Sequence, residues 1–288
     1  SNVKFENSVS STSSSAGVLI PTDLSGEIIK KLYENNVMVN IADVMQISNP
    51  TDIAVSGTEP TAYWTDEEGA YTDSSPALTK ISLTPHKIIA MVKASDEILE
   101  DAAFDVAAYI SERSGIAIGR ECDAQFFGGN GTGKPTGVKD SASVGVTASA
   151  TNSLAYSEIV NLFTSVTSPY RANGKFVVSD AALRSIMLLQ DGANQFVFQP
   201  SYTEGVPNML LGKPMYTTAN LEDVAAGKIP VLFGDFSYYK IAIRKALTMQ
   251  RLVELYAGNG QVGFRFTMRV DGKLTDTSAV KSLKMKAS

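Results

Sequence analysis

The chain has 288 residues, with 25 Lys and Arg, 30 Asp and Glu, one His, one Cys and a net charge of −5. The single Cys122 excludes a disulfide framework or thiolate cluster, and the single His86 excludes the two-His zinc motifs. No apolar run reaches the roughly 18 residues that a spanning helix needs, and the acidic balance argues against a general nucleic-acid binder.

Residues 1–16 are Ser-rich and carry no core pattern, so they read as a flexible arm. The start at Ser1 without Met points to a processed or tag-derived terminus. Pro21 and Ser25-Gly26-Glu27 open a helix whose apolar positions are Ile28, Ile29, Leu32 and Tyr33. Val44 to Val55 reads as strand, interrupted by the turn signal Asn49-Pro50. Residues 56–78 form a long loop rich in Gly, Pro and acids, in which Tyr63, Trp64 and Tyr71 supply most of the apolar surface. Loops this long are uncommon in compact domains and are usually functional or disordered. Strand pattern returns at Ile81, Leu83, Ile89 and Met91, so the loop is the end of an extended hairpin. Its aromatics are better explained as anchors in a neighbour's surface than as packing on their own sheet.

Ser95 caps a helix expected to run to Phe127 and to stop at Gly128-Gly129, with Ile98, Ala102, Val106 and Ile110 at four-residue steps. Continuous, it would approach roughly 50 Å. The middle section alternates: helix 156–167, strand Lys175–Val178, helix Ala181–Leu189, strands near Phe196–Gln199 and Met215–Thr217, a turn or short helix at Asp223–Ala226, and strand Val231–Phe233. This is an α/β unit. The last section is β. Ile241, Ile243, Leu247 and Met249 mark one strand. Val262, Phe264, Phe266, Met268 and Val270 alternate along another, joined to the first through Gly258-Asn259-Gly260.

Charge is distributed unevenly along this order. Residues 32–79 hold eight acids and no base, whereas residues 239–288 hold ten bases and three acids. Two solvated faces of opposite sign are the default reading. The sharper one is self-complementarity, the acidic segment of one copy resting on the basic segment of another.

No catalytic, metal or cofactor site emerges. Gly128 to Lys134 matches most of a phosphate-binding loop, but Pro135 stands where the metal-binding hydroxyl belongs, and the loop follows a helix instead of a strand. A nucleotide-binding enzyme is therefore the weaker alternative, and a Gly-rich connector the stronger. His86 has no nucleophile elbow to serve, Cys122 reads as a buried apolar residue, and the Glu67-Glu68 and Glu100-Asp101 pairs as solvated acids.

Four stretches, in this order, carry a family resemblance: 16–33 (AGVLIPTDLSGEIIKKLY), 62–101 (AYWTDEEGAYTDSSPALTKISLTPHKIIAMVKASDEILED), 117–138 (AIGRECDAQFFGGNGTGKPTGV), and 210–244 with LGKPMYTTANL and VLFGDFSYYKIAIR. The chain resembles the major capsid proteins of tailed double-stranded-DNA bacteriophages, with the Hong Kong 97-type fold. The resemblance implies an α+β protein with an N-terminal arm (1–27) and an extension loop (50–80). The peripheral domain would comprise 28–49, 81–139 and 239–288, with a spine helix over 95–127, and the axial domain 140–238. It implies a structural, non-enzymatic virion protein that self-assembles through hexamers and pentamers into an icosahedral shell. That shell would enclose double-stranded DNA without sequence-specific binding and be built in the bacterial host cytoplasm. Scaffold, portal, protease or decoration proteins are implied as partners, and no membrane. An encapsulin-like compartment with the same fold is the alternative. Expected contact residues are Tyr63, Trp64, Asp66, Glu67, Glu68, Tyr71 and Asp73 on the loop, and Arg244, Lys245, Arg251, Arg265 and Arg269 on the basic face. Some family members cross-link covalently through a loop Lys. Here Lys80 lies only at the loop's base, which predicts a non-covalent shell.

Overall fold

The computed structural model describes residues 36–58, 62, 64, 77–101, 105–190 and 208–288. The N-terminal arm, the helix expected at 28–33, the strand near Phe196–Gln199 and most of the loop tip lie outside them.

The described chain opens with a short helix, α1 (Val37–Ile41), capped by the Asn36 side chain accepting from Val39 N at 3.0 Å. Strand β1 (Asp43–Gln46) follows, then Asn49-Pro50, then β2 (Thr51–Thr58) and β3 (Ala77–Leu83). These two pair antiparallel, with Thr51 opposite Leu83, and form the expected hairpin. Strand β4 (His86–Ser95) alternates half-buried and exposed positions, as a strand with one covered face must.

The long helix departs from expectation. It is split into α2 (Asp96–Asp101) and α3 (Val106–Gly128). Asp105 has extended backbone at φ −72° and ψ 95°, and its carboxylate accepts from Ala108 N at 3.0 Å, which starts a new helix. Ser95 Oγ does accept from Ile98 N, at 3.4 Å. Ile98 itself is exposed, so the four-residue pattern was interrupted where it looked continuous. The 23 residues of α3 span about 34 Å.

After α4 (Val138–Ser141) come β5 (Ser143–Thr147), α5 (Tyr156–Ser165), α6 (Ser168–Ala172), β6 (Lys175–Ser179) and α7 (Asp180–Met187). Strands β7 (Asn208–Leu210), β8 (Lys213–Thr218), β9 (Val231–Gly234), β10 (Tyr239–Leu252), β11 (Gln261–Leu274) and β12 (Val280–Lys284) complete the fold. The strands form a four-stranded sheet in the order β1-β10-β11-β4 and a six-stranded sheet in the order β5-β12-β9-β6-β8-β7. The terminal β12, expected beside residues 239–274, instead inserts between β5 and β9. Its Leu283 and the nearby Met285 fill the apolar core under α5 and α7, which draws the segment into that sheet.

The two sheets share packing. Phe176 and Val178 of β6 point into the core beneath α5 and α7, while Val177 between them joins the core of the four-stranded sheet. In that sheet Phe264, Phe266, Met268 and Val270 of β11 face α3, where Ile118, Cys122 and Phe126 meet them. Phe126 stands edge-on to Tyr239 at 6.1 Å. The buried Asp123 of α3 accepts from Met38 N at 3.0 Å and from Asn220 Nδ2 at 2.7 Å, tying α1 and the loop after β8 to the helix. Burial pushes its carboxyl above the ordinary range against these hydrogen bonds.

Candidate assembly interface

α3 covers one face of the four-stranded sheet. The other face carries the side chains of opposite parity. Register places Lys245 of β10 opposite Arg269 of β11, and Arg269 opposite Lys87 of β4, so three cations share one rung. The next rung holds Thr248, Thr267 and Ile89, and the one after it Gln250, Arg265 and Met91. Ile89 and Met91 are 50% and 45% exposed, so apolar surface is interleaved with the cations. Like charges directly opposite one another destabilise a sheet. No described acid forms an ion pair with Lys87, Lys245, Arg265 or Arg269.

A bulge adds a fifth cation. Register slips between Ile243 and Lys245 and again between Lys245 and Thr248, so Arg244 and Lys245 are both exposed although adjacent. Arg244 Nε donates to Ser48 O at 2.9 Å. Lys87, Arg244, Lys245, Arg265 and Arg269 thus line a groove of about 620 Å³ with Ser48, Thr248, Gln250 and Thr267, and no acid among them. Arg265 Nη2 donates to Gln250 Oε1, while its buried Nε has no partner among the described residues.

Four of the five expected basic-face residues therefore come together. Arg251 does not. It sits opposite Phe264, on the α3 side of the sheet, at the same parity as Ile241, Ile243, Leu247 and Met249, and the bulge turns out only Lys245. Lys87 was missed by sequence reasoning. The alternation Lys87, Ile89, Met91, Lys93 was the signal that could have found it. On the acidic side, Trp64 is fully exposed. Tyr63, Asp66, Glu67, Glu68, Tyr71 and Asp73 lie outside the described residues. Lys80 is exposed on β3, opposite Ala54.

The hairpin is fixed to the body at its root. Asp271 of β11, fully buried, accepts from Thr84 N at 2.7 Å and from Gly272 N at 2.8 Å. Lys273 Nζ donates to Ser82 O at 2.7 Å. Burial raises the Asp271 carboxyl above its ordinary range, while these bonds and the charges of Lys273 and His86 pull it down.

The Gly-rich loop and Cys122 are tied up locally. In the Gly-rich loop, Gly129 N donates to Gln125 O, Gly131 N to Pro135 O and Thr132 N to Asn130 Oδ1. Those N–H groups are spent inside the loop instead of being turned toward a phosphate. Burial lifts the Cys122 thiol to about 12, with Glu121 and Asp123 adding to it.

The described body thus carries one open cationic sheet face and a hairpin clamped to its side. The chain belongs to the phage capsid family, whose model matches residues 16–285. It is a structural major capsid protein of the tailed-phage type, part of an icosahedral shell, with the Hong Kong 97-type fold. It is similar to the solved capsid of a native GTA particle computed with C5 symmetry. There it is 26% identical, with a TM-score of 0.78 over 98% of this chain and 96% of that one. The capsid of the empty GTA particle gives 27% identity and the same TM-score and coverage. A Mycobacterium phage Cain chain shares the fold at 17% identity and a TM-score of 0.69, covering 88% of this chain and 91% of that one. None of the curated proteins compared with the chain matches it.

Proposed function

We propose that this chain assembles through hexamers and pentamers into a non-covalent shell around double-stranded DNA, with the acidic loop of one copy lying on the open basic sheet face of another. The observation that carries this reading is the rung Lys245–Arg269–Lys87, three cations in line with no described acid to pair with. The chain itself supplies the complement, five acids and no base over the loop 56–78. Trp64, fully exposed, provides an apolar anchor, and Ile89 and Met91 provide apolar surface for it to meet.

In this role the protein performs no catalysis. Assembly takes place in the host cytoplasm, where scaffold, portal, protease or decoration proteins can join. The DNA is held as bulk polyanion, without base readout.

The test is to reverse Asp66, Glu67 and Glu68 together to Lys. Closed particles seen by electron microscopy should disappear, and reversing the basic face as well should restore them in part. Wild-type assembly by the triple variant would overturn the reading. Particles boiled in detergent should run as single subunits, and nuclease-protected DNA inside them separates a virion shell from an encapsulin-like compartment.

A further inference from the structure

The segment Asp271-Gly272-Lys273 grips two parts of the molecule at once. On one side it holds the hairpin by its backbone. The Asp271 carboxylate accepts from Thr84 N, and the Lys273 ammonium donates to Ser82 O, each at 2.7 Å. A negative side chain thus takes an N–H, and a positive one takes a carbonyl two residues earlier. Both are charge-assisted bonds, roughly twice as strong as neutral ones. On the other side Gly272 O accepts from Thr136 N at 2.9 Å, just past the Gly-rich exit of α3. Tyr239 Oη closes the same corner by donating to Thr136 O at 2.8 Å. There is no room for a side chain between the two grips. A Cβ on Gly272 would lie 2.5 Å from Tyr239 Oη and 3.0 Å from Phe126.

Inside the hairpin, Ser82 Oγ donates to Asp52 Oδ1 at 2.6 Å, so both strands are carried by the residue that Lys273 holds. A two-stranded ribbon is marginal by itself. Its direction must be imposed from outside, and these two bonds lie at its root.

We propose that Asp271 and Lys273 are positioning residues for assembly: together they fix the angle at which the β2–β3 hairpin leaves the body, and hence whether its acidic loop reaches the basic face of a second copy. This rests on the reading that the loop docks there. Neither side chain touches the partner copy. They act through the backbone of Ser82 and Thr84.

The test uses Lys273→Met and Asp271→Asn in the full chain, with two readouts. In unassembled subunits, amide exchange at Thr84 and along β2–β3 should speed up about ten- to a hundredfold, what one hydrogen bond to a charged group supplies. Amides of β6 and β9 should keep their protection. Particle yield should fall several-fold in the same variants. Lys273→Met carries the test alone if Asp271→Asn fails to fold, since Lys273 is only half-buried. Unchanged hairpin exchange, or a loosened hairpin with full particle yield, would overturn the proposal. Failure of the docking reading looks different: the Asp66, Glu67 and Glu68 reversal would then assemble normally while the hairpin kept its wild-type exchange.

Discussion

If the cationic rung exists for a partner, it should cost the lone subunit stability, and removing its middle charge should move folding and assembly in opposite directions. Arg269→Gln is the perturbation. Lys245 and Lys87 flank Arg269 on the adjacent strands, and the strand spacing of about 4.8 Å, taken as the separation of the charges, gives an upper bound on their repulsion. In water each pair costs about 0.8 kcal/mol, and screening over a Debye length of about 8 Å leaves roughly half. Arg269→Gln should therefore stabilise the unassembled subunit by up to about 1 kcal/mol, less the packing of the lost Arg stem. That amounts to a rise of about 2–4 °C in melting temperature for a domain of this size class. Low salt should enlarge the gain. The same substitution should reduce particle yield. Arg251→Gln is the control, since Arg251 faces the other side of the sheet and should leave both quantities nearly unchanged. Thermal melting of subunits held below the assembly concentration, paired with particle counts at higher concentration, reads both effects. The reasoning fails if Arg269→Gln destabilises the subunit, or if particle yield is unaffected.

Three further outcomes are expected. Gly272→Ala should destabilise by about 1–3 kcal/mol in chemical denaturation, because its Cβ forces Tyr239 Oη off the Thr136 carbonyl. Glu158 feels a burial cost, but the bonds it accepts from Ala155 N and from Ser149 N and Oγ outweigh it and hold its carboxyl below the ordinary glutamate range. Its stabilisation is therefore complete above the unfolded value of about 4.3 and is lost as pH falls through the lower folded value. Glu158→Gln should cost about 1–3 kcal/mol at neutral pH, and the gap in denaturation midpoint should close on acidification. Cys122, buried and with its thiol pushed to about 12, should resist alkylation at pH 8 in the native protein and react once unfolded, as read by mass spectrometry.

The legible parts of the fold were those written as local period or punctuation. Val262 to Val270 alternate strictly, and β11 forms there with those five residues buried. Asn49-Pro50 separates β1 from β2, and the acidic, Gly-rich stretch after Val55 lies between paired strands. Asp105 was illegible because a capping Asp and a solvent-facing helical Asp look alike until the backbone shows which it is. The place of β12 was illegible because a five-residue strand has no period of its own, and Leu283 and Met285 chose its sheet by burial. At the interface, four of the basic residues could be named from charge density alone. The bulge that turns Lys245 out beside Arg244 is a property of register, which only pairing reveals, whereas plain alternation with Leu247 and Met249 already placed Arg251 on the α3 side. Register also brought in Lys87, more than 150 residues before its partner Arg269.

The most direct test of the central claim is an electron cryo-microscopy map of assembled particles, at a resolution that shows side chains. The account predicts that carboxylates among Asp66, Glu67, Glu68 and Asp73 of one subunit lie within ion-pair distance of the Lys245–Arg269–Lys87 rung of its neighbour. A map in which that rung faces solvent or DNA, with the acidic loop elsewhere, would contradict it.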